Sequence, residues 1–148
     1  MDVEGYRRTS HEVWEAMAPG WERWRAQLAD ALAPVREWVI GRLGPQPGET
    51  VLELGAGTGE TGFETAALLG EDGRLLSTDF SPDMVEVARR RGSGLGLSNV
   101  DYRVIDAERI QLDSGSVDGV LGQSTYMLVA DPAAALAETR RVLRPGGR

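Results

Sequence analysis

The sequence contains no cysteine. That absence excludes a disulfide framework, a thiolate zinc site and a cysteine nucleophile. Lysine is missing too, so all 16 cations are arginines, and histidine occurs once, at position 11. Together with the heavy use of alanine and glycine, this reads as GC-rich coding and points to no function. No apolar run approaches the roughly 18–20 residues of a membrane span. The opening residues, MDVEGYRRTSHEVWE, are too polar for the apolar region of a secretory signal. The cytoplasm is therefore the expected compartment. Positive charge is scarce: 16 basic residues face 23 acidic ones, for a net charge of −7 and a pI near 4.8. Phosphate backbones are bound by clustered cations, so no nucleic-acid partner is expected. The one dense basic run, Arg89-Arg90-Arg91, falls at the end of a predicted helix, where cations complement the helix dipole.

What remains is an ordinary globular composition, 41% hydrophobic and 26% charged, over 148 residues. That length holds one compact domain. Its two parts differ in texture. Residues 1–43 carry all four tryptophans, Trp14, Trp21, Trp24 and Trp38. Thr9 and Glu12 have capping-box spacing and predict a short helix through Trp14 and Met17, which Pro19-Gly20 should break. His11 would then be a solvated residue of its first turn. Trp21, Trp24, Leu28, Leu32, Val35, Val39 and Leu43 recur at steps of three and four, a helical apolar stripe that Pro34 should kink or divide. Gly44-Pro45-Gln46-Pro47-Gly48 closes the segment as a loop.

From residue 44 onward, strand-like and helix-like patterns alternate. Strands are predicted at Thr50–Leu54, Arg74–Asp79, Val100–Asp106 and Ser116–Gly122. A helix is expected at about Thr61–Leu69. Ser81-Pro82 and Asp131-Pro132 each supply an N-cap and a proline at the first helical position. The first of these helices presents Met84, Val87 and Ala88 on one face; the second runs through Leu136 and Leu143 and stops at Pro145-Gly146-Gly147. Such alternation implies right-handed βαβ crossovers and a parallel sheet, an α/β, Rossmann-like fold.

The strongest chemical signal is Glu53-Leu54-Gly55-Ala56-Gly57-Thr58-Gly59, directly after the first strand and before a helix. Glycines there permit a tight turn and let the backbone approach a ligand. Unpaired N–H groups of the following helix face the same place. Gly57-Thr58-Gly59-Glu60-Thr61-Gly62 satisfies GxGxxG, and Asp79 closes the second strand about twenty residues on, as an NAD site requires. Glu53 argues against a pyrophosphate, because it puts a carboxylate at the mouth of the loop. Asp106 ends the third strand, with Ala107 after it. Acids at three strand tips suit a ligand with an ammonium group, a ribose and an adenine amine, and no phosphate.

At VLELGAGTGETG (51–62), LLSTDFSPDMVEVARRR (75–91), VDYRVIDAERI (100–110) and SVDGVLGQSTYMLVADPAAALAETRRVLRPGGR (116–148), the sequence resembles class I S-adenosylmethionine-dependent methyltransferases. Its texture is that of the ubiquinone/menaquinone-biosynthesis-like members. The resemblance implies S-adenosylmethionine as cofactor and a small-molecule methyl acceptor, and it makes residues 1–43 a helical N-terminal cap. Carried over, it places Gly55, Gly57 and Gly59, with Ala56, in the loop under the methionine part, with Glu53 orienting that loop and its ammonium side. Asp79 would accept from both ribose hydroxyls. Phe80 and Met84 would flank the adenine, Asp106 would take its amine beside the Ala107 N–H, and Gln123 would lie near the sulfonium. Met84 equally fits the core stripe of its helix. Tyr126 could face substrate or pack under the cap, and Asp113 and Asp118 read as turn and strand-edge residues. No catalytic acid or base and no metal site is identified.

The chain stops at LRPGGR (143–148), a motif that in the family leads into strand five of a sheet ordered 3-2-1-4-5-7-6. Residues 44–148 are thus expected to hold only the cofactor-binding half, strands 3-2-1-4. A C-terminal truncation, a dimer that covers the open edge, and a non-catalytic S-adenosylmethionine-binding module are the competing accounts. Strand four would carry an unpaired edge, with Val117, Val120 and Leu121 incompletely covered. At about 25 cal/mol per Å² of apolar surface, a few hundred Å² there would cost several kcal/mol. Self-association through that edge is the expectation, with the helical cap folding across it as the competitor.

Overall fold

The β-rich runs Thr50–Leu54 (β1), Arg74–Asp79 (β2) and Val100–Val104 (β3) form adjacent strands, and Gly119–Leu121 (β4) joins the far side of β1. The sheet order is β3-β2-β1-β4, and every pairing is parallel. These relations come from a computed structural model, which describes residues 2–148. Five helices accompany the strands: α1 (Val3–Arg23), α2 (Arg25–Leu43), α3 (Glu60–Leu69), α4 (Pro82–Gly94) and α5 (Pro132–Val142).

Side chains alternate across a strand, and both faces of this sheet are covered, as a parallel sheet requires. Val51, Leu75 and Leu121 pack with Leu43 of α2 and with Ala66 and Leu69 of α3. Leu52, Leu54 and Leu76 pack on the opposite face with Ile105, Ile110 and Val117, and with Ala135 and Val142 of α5. The two capping predictions hold: Ser81 Oγ accepts from Met84 N, and Asp131 Oδ1 accepts from Ala133 N and Ala134 N. Among the described residues, no helix is long and apolar enough to cross a membrane.

Several expectations need correction. α1 does not begin at a Thr9 cap or break at Pro19-Gly20; it runs unbroken from Val3 to Arg23, and the junction falls at Trp24. Tertiary contacts at both ends hold it through the proline. Tyr6 Oη donates to Leu128 O, and Glu22 pairs with Arg90 on α4. Pro34 likewise sits inside α2 without dividing it. The third and fourth strands are shorter than predicted, and the buried face of α5 is Ala135 and Val142, while Leu136 is 56% exposed.

The open edge is also corrected. Val117 bridges Leu143 in parallel, and Arg144 N donates to Val117 O. Arg148 N donates to Asp118 O, and Val120 N donates to Arg148 O. Val117 and Leu121 are 0% and 3% exposed, so the chain's own last residues cover much of what was expected to lie open. The Arg148 guanidinium fastens this segment to Leu43 O, Gly44 O and Glu49.

Candidate cofactor site

β1 delivers Glu53 to the same face as α3, directly opposite Ser77 of β2 in register. Ser77 Oγ donates to Glu53 Oε2 at 2.9 Å, and Gly62 N–H also donates to this carboxyl. A Cβ at Gly62 would overlap the Glu53 carboxylate. The last glycine of the motif therefore lets the first turn of α3 lie directly on the acid. Glu53 is 2% exposed, and burial pushes its carboxyl up to about 7; Ser77 and Gly62 pull the other way, and Asp79 and Glu60 add to the rise.

Between β1 and α3, Gly55, Gly57 and Gly59 all have positive φ, at +67°, +55° and +93°. A Cβ at Gly55 would stand 2.5 Å from Thr125 Oγ1, whose hydroxyl donates to Leu54 O. At Gly57 the space a Cβ would enter is empty. The loop is thus packed on one side and open on the other, as a ligand-bearing turn needs to be.

Asp79 ends β2. Its Oδ2 accepts from Gly57 N and its Oδ1 from Ser81 N, both at 3.0 Å. Burial raises its pKa, and those backbone donors oppose the rise. Phe80 N–H also donates to this carboxyl, and acceptor capacity remains on it for a further donor. Asp106, two residues past β3, accepts from Glu108 N at 2.9 Å and lies 3.6 Å from Arg7 Nε of α1. Gln123, just past β4, accepts from Thr61 Oγ1 at 2.7 Å. Beside it Ser124 holds φ +63°, the left-handed region that a non-glycine residue rarely takes.

One cleft joins these groups, about 1280 Å³ including its mouth. Glu53, Gly55, Ala56, Gly57, Asp79, Phe80, Met84, Asp106, Ala107 and Gln123 all line it. Gly59 does not; it lies beneath, against the Phe63 ring. Met84 is buried on the core face of α4 and also lines the cleft. Tyr126 neither lines the cleft nor packs under the cap; it packs against the core on the α5 side, its hydroxyl 2.8 Å from Thr139 Oγ1. Asp118 accepts from Thr50 N and pairs with Arg144 at the β1–β4 edge.

Sequence reasoning missed how much of the cleft α1 and α2 supply. Arg7 pairs with the buried Glu108, whose Oε1 accepts from Ala130 N at 2.8 Å. His11 stays partly exposed on α1, well past its first turn, with its side chain 39% accessible, and its ring packs edge-on against Phe80, ring centroids 5.5 Å apart. Trp14 and Trp21, seven residues apart on α1, line the outer cleft with centroids 5.8 Å apart. The spacing of those tryptophans was a legible signal; the partners of Arg7 were not. The basic run is spent internally: Arg89 pairs with Glu86, Arg90 with Glu22 and Arg91 with Glu60. Among the described residues, no cluster of histidine and acid could hold a metal.

Residues 51–147 match the sequence profile of a family described as a methyltransferase domain. An uncharacterized 37.1 kDa protein in transposon TN4556 of Streptomyces fradiae is 39% identical over 149 residues, covering 99% of this chain and 43% of that protein. A ubiquinone/menaquinone biosynthesis C-methyltransferase of Hydrogenovibrio crunogenus is 36% identical over 106 residues, 71% of this chain and 42% of its own. Phosphoethanolamine N-methyltransferase 1 of Haemonchus contortus, solved with phosphoethanolamine and S-adenosylhomocysteine, superposes with a TM-score of 0.84 at 25% identity. That match covers 99% of this chain and 32% of that one. The chain belongs to the methyltransferase-domain family, of the class I type whose cofactor is S-adenosylmethionine. It spans less than half the length of the two curated relatives named above.

Proposed function

We propose that this chain holds S-adenosylmethionine in the cleft and presents it to a small-molecule methyl acceptor. The observation that carries this reading is the convergence of Glu53, Asp79 and Asp106, from three adjacent parallel strands, on one cleft with the glycine turn. Carboxylates there suit an ammonium, a ribose and an adenine amine. A dinucleotide pyrophosphate would have to pack against Glu53.

When bound, the sulfonium supplies an already activated methyl group, so alignment is what the protein must add. In this reading Gly55, Ala56, Gly57 and Gly59 carry the loop under the methionine part, and Glu53 holds that loop and faces the ammonium side. Asp79 accepts from the ribose hydroxyls with the acceptor capacity that Gly57, Phe80 and Ser81 leave free. Phe80 and Met84 flank the adenine, and Asp106 takes its amine beside the Ala107 N–H. Gln123, fixed by Thr61, borders the end where the acceptor enters. α1 closes the cleft to water through Tyr6 and Arg7.

Calorimetric titration with S-adenosylhomocysteine and, separately, with NAD tests the ligand. Saturable binding of S-adenosylhomocysteine without NAD binding is expected; the reverse would overturn the reading. Release of S-adenosylhomocysteine from S-adenosylmethionine in the presence of quinols, phenols or carboxylic acids then separates a transferase from a binding module.

A further inference from the structure

The cleft is electrically divided. Its inner end, at the strand tips, carries the acids already described, with Arg7 paired to Asp106 and Glu108. Its outer end is built from α1 and α2 and carries two cations, Arg25 and Arg36, among Trp14, Trp21, Leu28 and Leu32.

Arg36 is the more informative of the two. Its side chain is 12% exposed. Nε donates to Glu64 at 2.7 Å and Nη1 to Ala29 O at 2.9 Å, while Nη2 has no acceptor among the described residues. The guanidinium of this cleft-lining residue is therefore pinned by two partners with Nη2 left free of any acceptor among the described residues, and a pre-oriented arginine fork binds carboxylates well. Arg25, three turns earlier on nearly the same face of α2, is exposed and has no hydrogen-bond partner among the described residues. Glu64 lies one α3 turn, about 5 Å along the axis, from Thr61, which holds Gln123. The free arginine donors thus adjoin the end of the cofactor site where the acceptor enters.

The walls between these points are flat. Trp14 and Trp21 are half-buried, with ring planes tilted 42° from each other, and they offer faces on which a planar ring stacks. A carboxylate would gain charge-assisted hydrogen bonds from the Arg36 and Arg25 donors that a neutral acceptor cannot make, and an acyl chain would make no use of the tryptophan faces.

We infer that the outer cleft takes a planar aromatic acceptor bearing a carboxylate, its ring on Trp14 and Trp21 and its carboxylate held by Arg36 and Arg25. The inference rests on the cofactor reading above, because it makes this ligand the methyl acceptor. The carboxylate is the handle by which the ring is oriented.

The test uses the full chain, 3-hydroxy-2-naphthoate and 2-naphthol, each titrated calorimetrically with the protein saturated by S-adenosylhomocysteine. The naphthoate is expected to bind at least about tenfold more tightly than the naphthol, or 1.4 kcal/mol. Arg25→Gln, at an exposed position, should weaken the naphthoate about threefold and leave the naphthol unchanged. Trp21→Leu should weaken both. Equal affinity of the two ligands, or no binding of either, with S-adenosylhomocysteine still bound, overturns this inference alone. Failure of S-adenosylhomocysteine itself to bind overturns both readings.

Discussion

Glu53 shows what a single residue costs and what it allows. Its ordinary pKa of 4.5 rises to about 7 because burial penalises the carboxylate. Between those values the folded chain keeps a proton that the unfolded chain has released. Stability therefore falls as pH rises from 4.5 to about 7 and is level above that, with a span of about 3 kcal/mol. In Glu53→Gln the amide is neutral throughout and its oxygen still accepts from Ser77 and Gly62. The variant is expected to match the parent near pH 5 and to melt several degrees higher at pH 8. Thermal melts at the two pH values check this, and an unchanged pH dependence would place the held proton elsewhere. S-adenosylhomocysteine binding should weaken at the same time, the usual trade between stability and a strained site. Asp79→Ala is expected to weaken that binding by about 1.5–3 kcal/mol through lost charge-assisted hydrogen bonds; calorimetry showing unchanged affinity would refute its ribose role. Gly62→Ala should also weaken binding, since the added methyl displaces the Glu53 carboxylate.

Among the elements, α1 has little local support and depends on tertiary contacts. It carries Pro19 in its interior, which removes a backbone donor, and no side chain caps its first turn. Ties from several side chains hold it over the cleft, among them Tyr6 to Leu128 O, Arg7 to Glu108, and Glu22 to Arg90. The Arg7 tie is coupled to the 124–131 segment, because Glu108 also accepts from Ala130 N. Arg7→Gln is expected to free α1 and that segment together while leaving β1–β3 protected. Hydrogen exchange measured by mass spectrometry should show faster exchange across residues 3–23 and 124–131. Faster exchange confined to α1 would show that Glu108 does not couple them.

At the scale of the whole molecule, the question is what covers the sheet's β4 edge. Of the apolar residues expected to drive association, Val117 and Leu121 are buried beneath α5 and α2 respectively, and Val120 is partly buried. Edge bonds at Asp118 and Val120 are taken by Arg148. The hydrophobic term that favoured self-association is thereby largely removed. Sedimentation at micromolar concentration is expected to give a 16.0 kDa species; a species of twice that mass would mean that the remaining edge still pairs.

The sequence by itself determined the sheet and the inner half of the site. Short apolar runs ending in glycine or acid, and helices opened by Ser81-Pro82 and Asp131-Pro132, are local signals, and β1, β2, α4 and the turn at 55–59 formed where those signals lie. Parallel order then brings Glu53, Asp79 and Asp106 to one end, because each ends or follows a strand running the same way. Tertiary structure decided the rest. A proline-glycine pair reads as a break until contacts 68 to 122 residues away hold the helix through it. Which cations face a cleft and which pair internally depends on partners such as Glu108 and Glu64, distant in the chain and unmarked by any spacing. Periodicity reports the face of one element, but the outer cleft is made by the meeting of two helices with a sheet, and only packing determines where they meet.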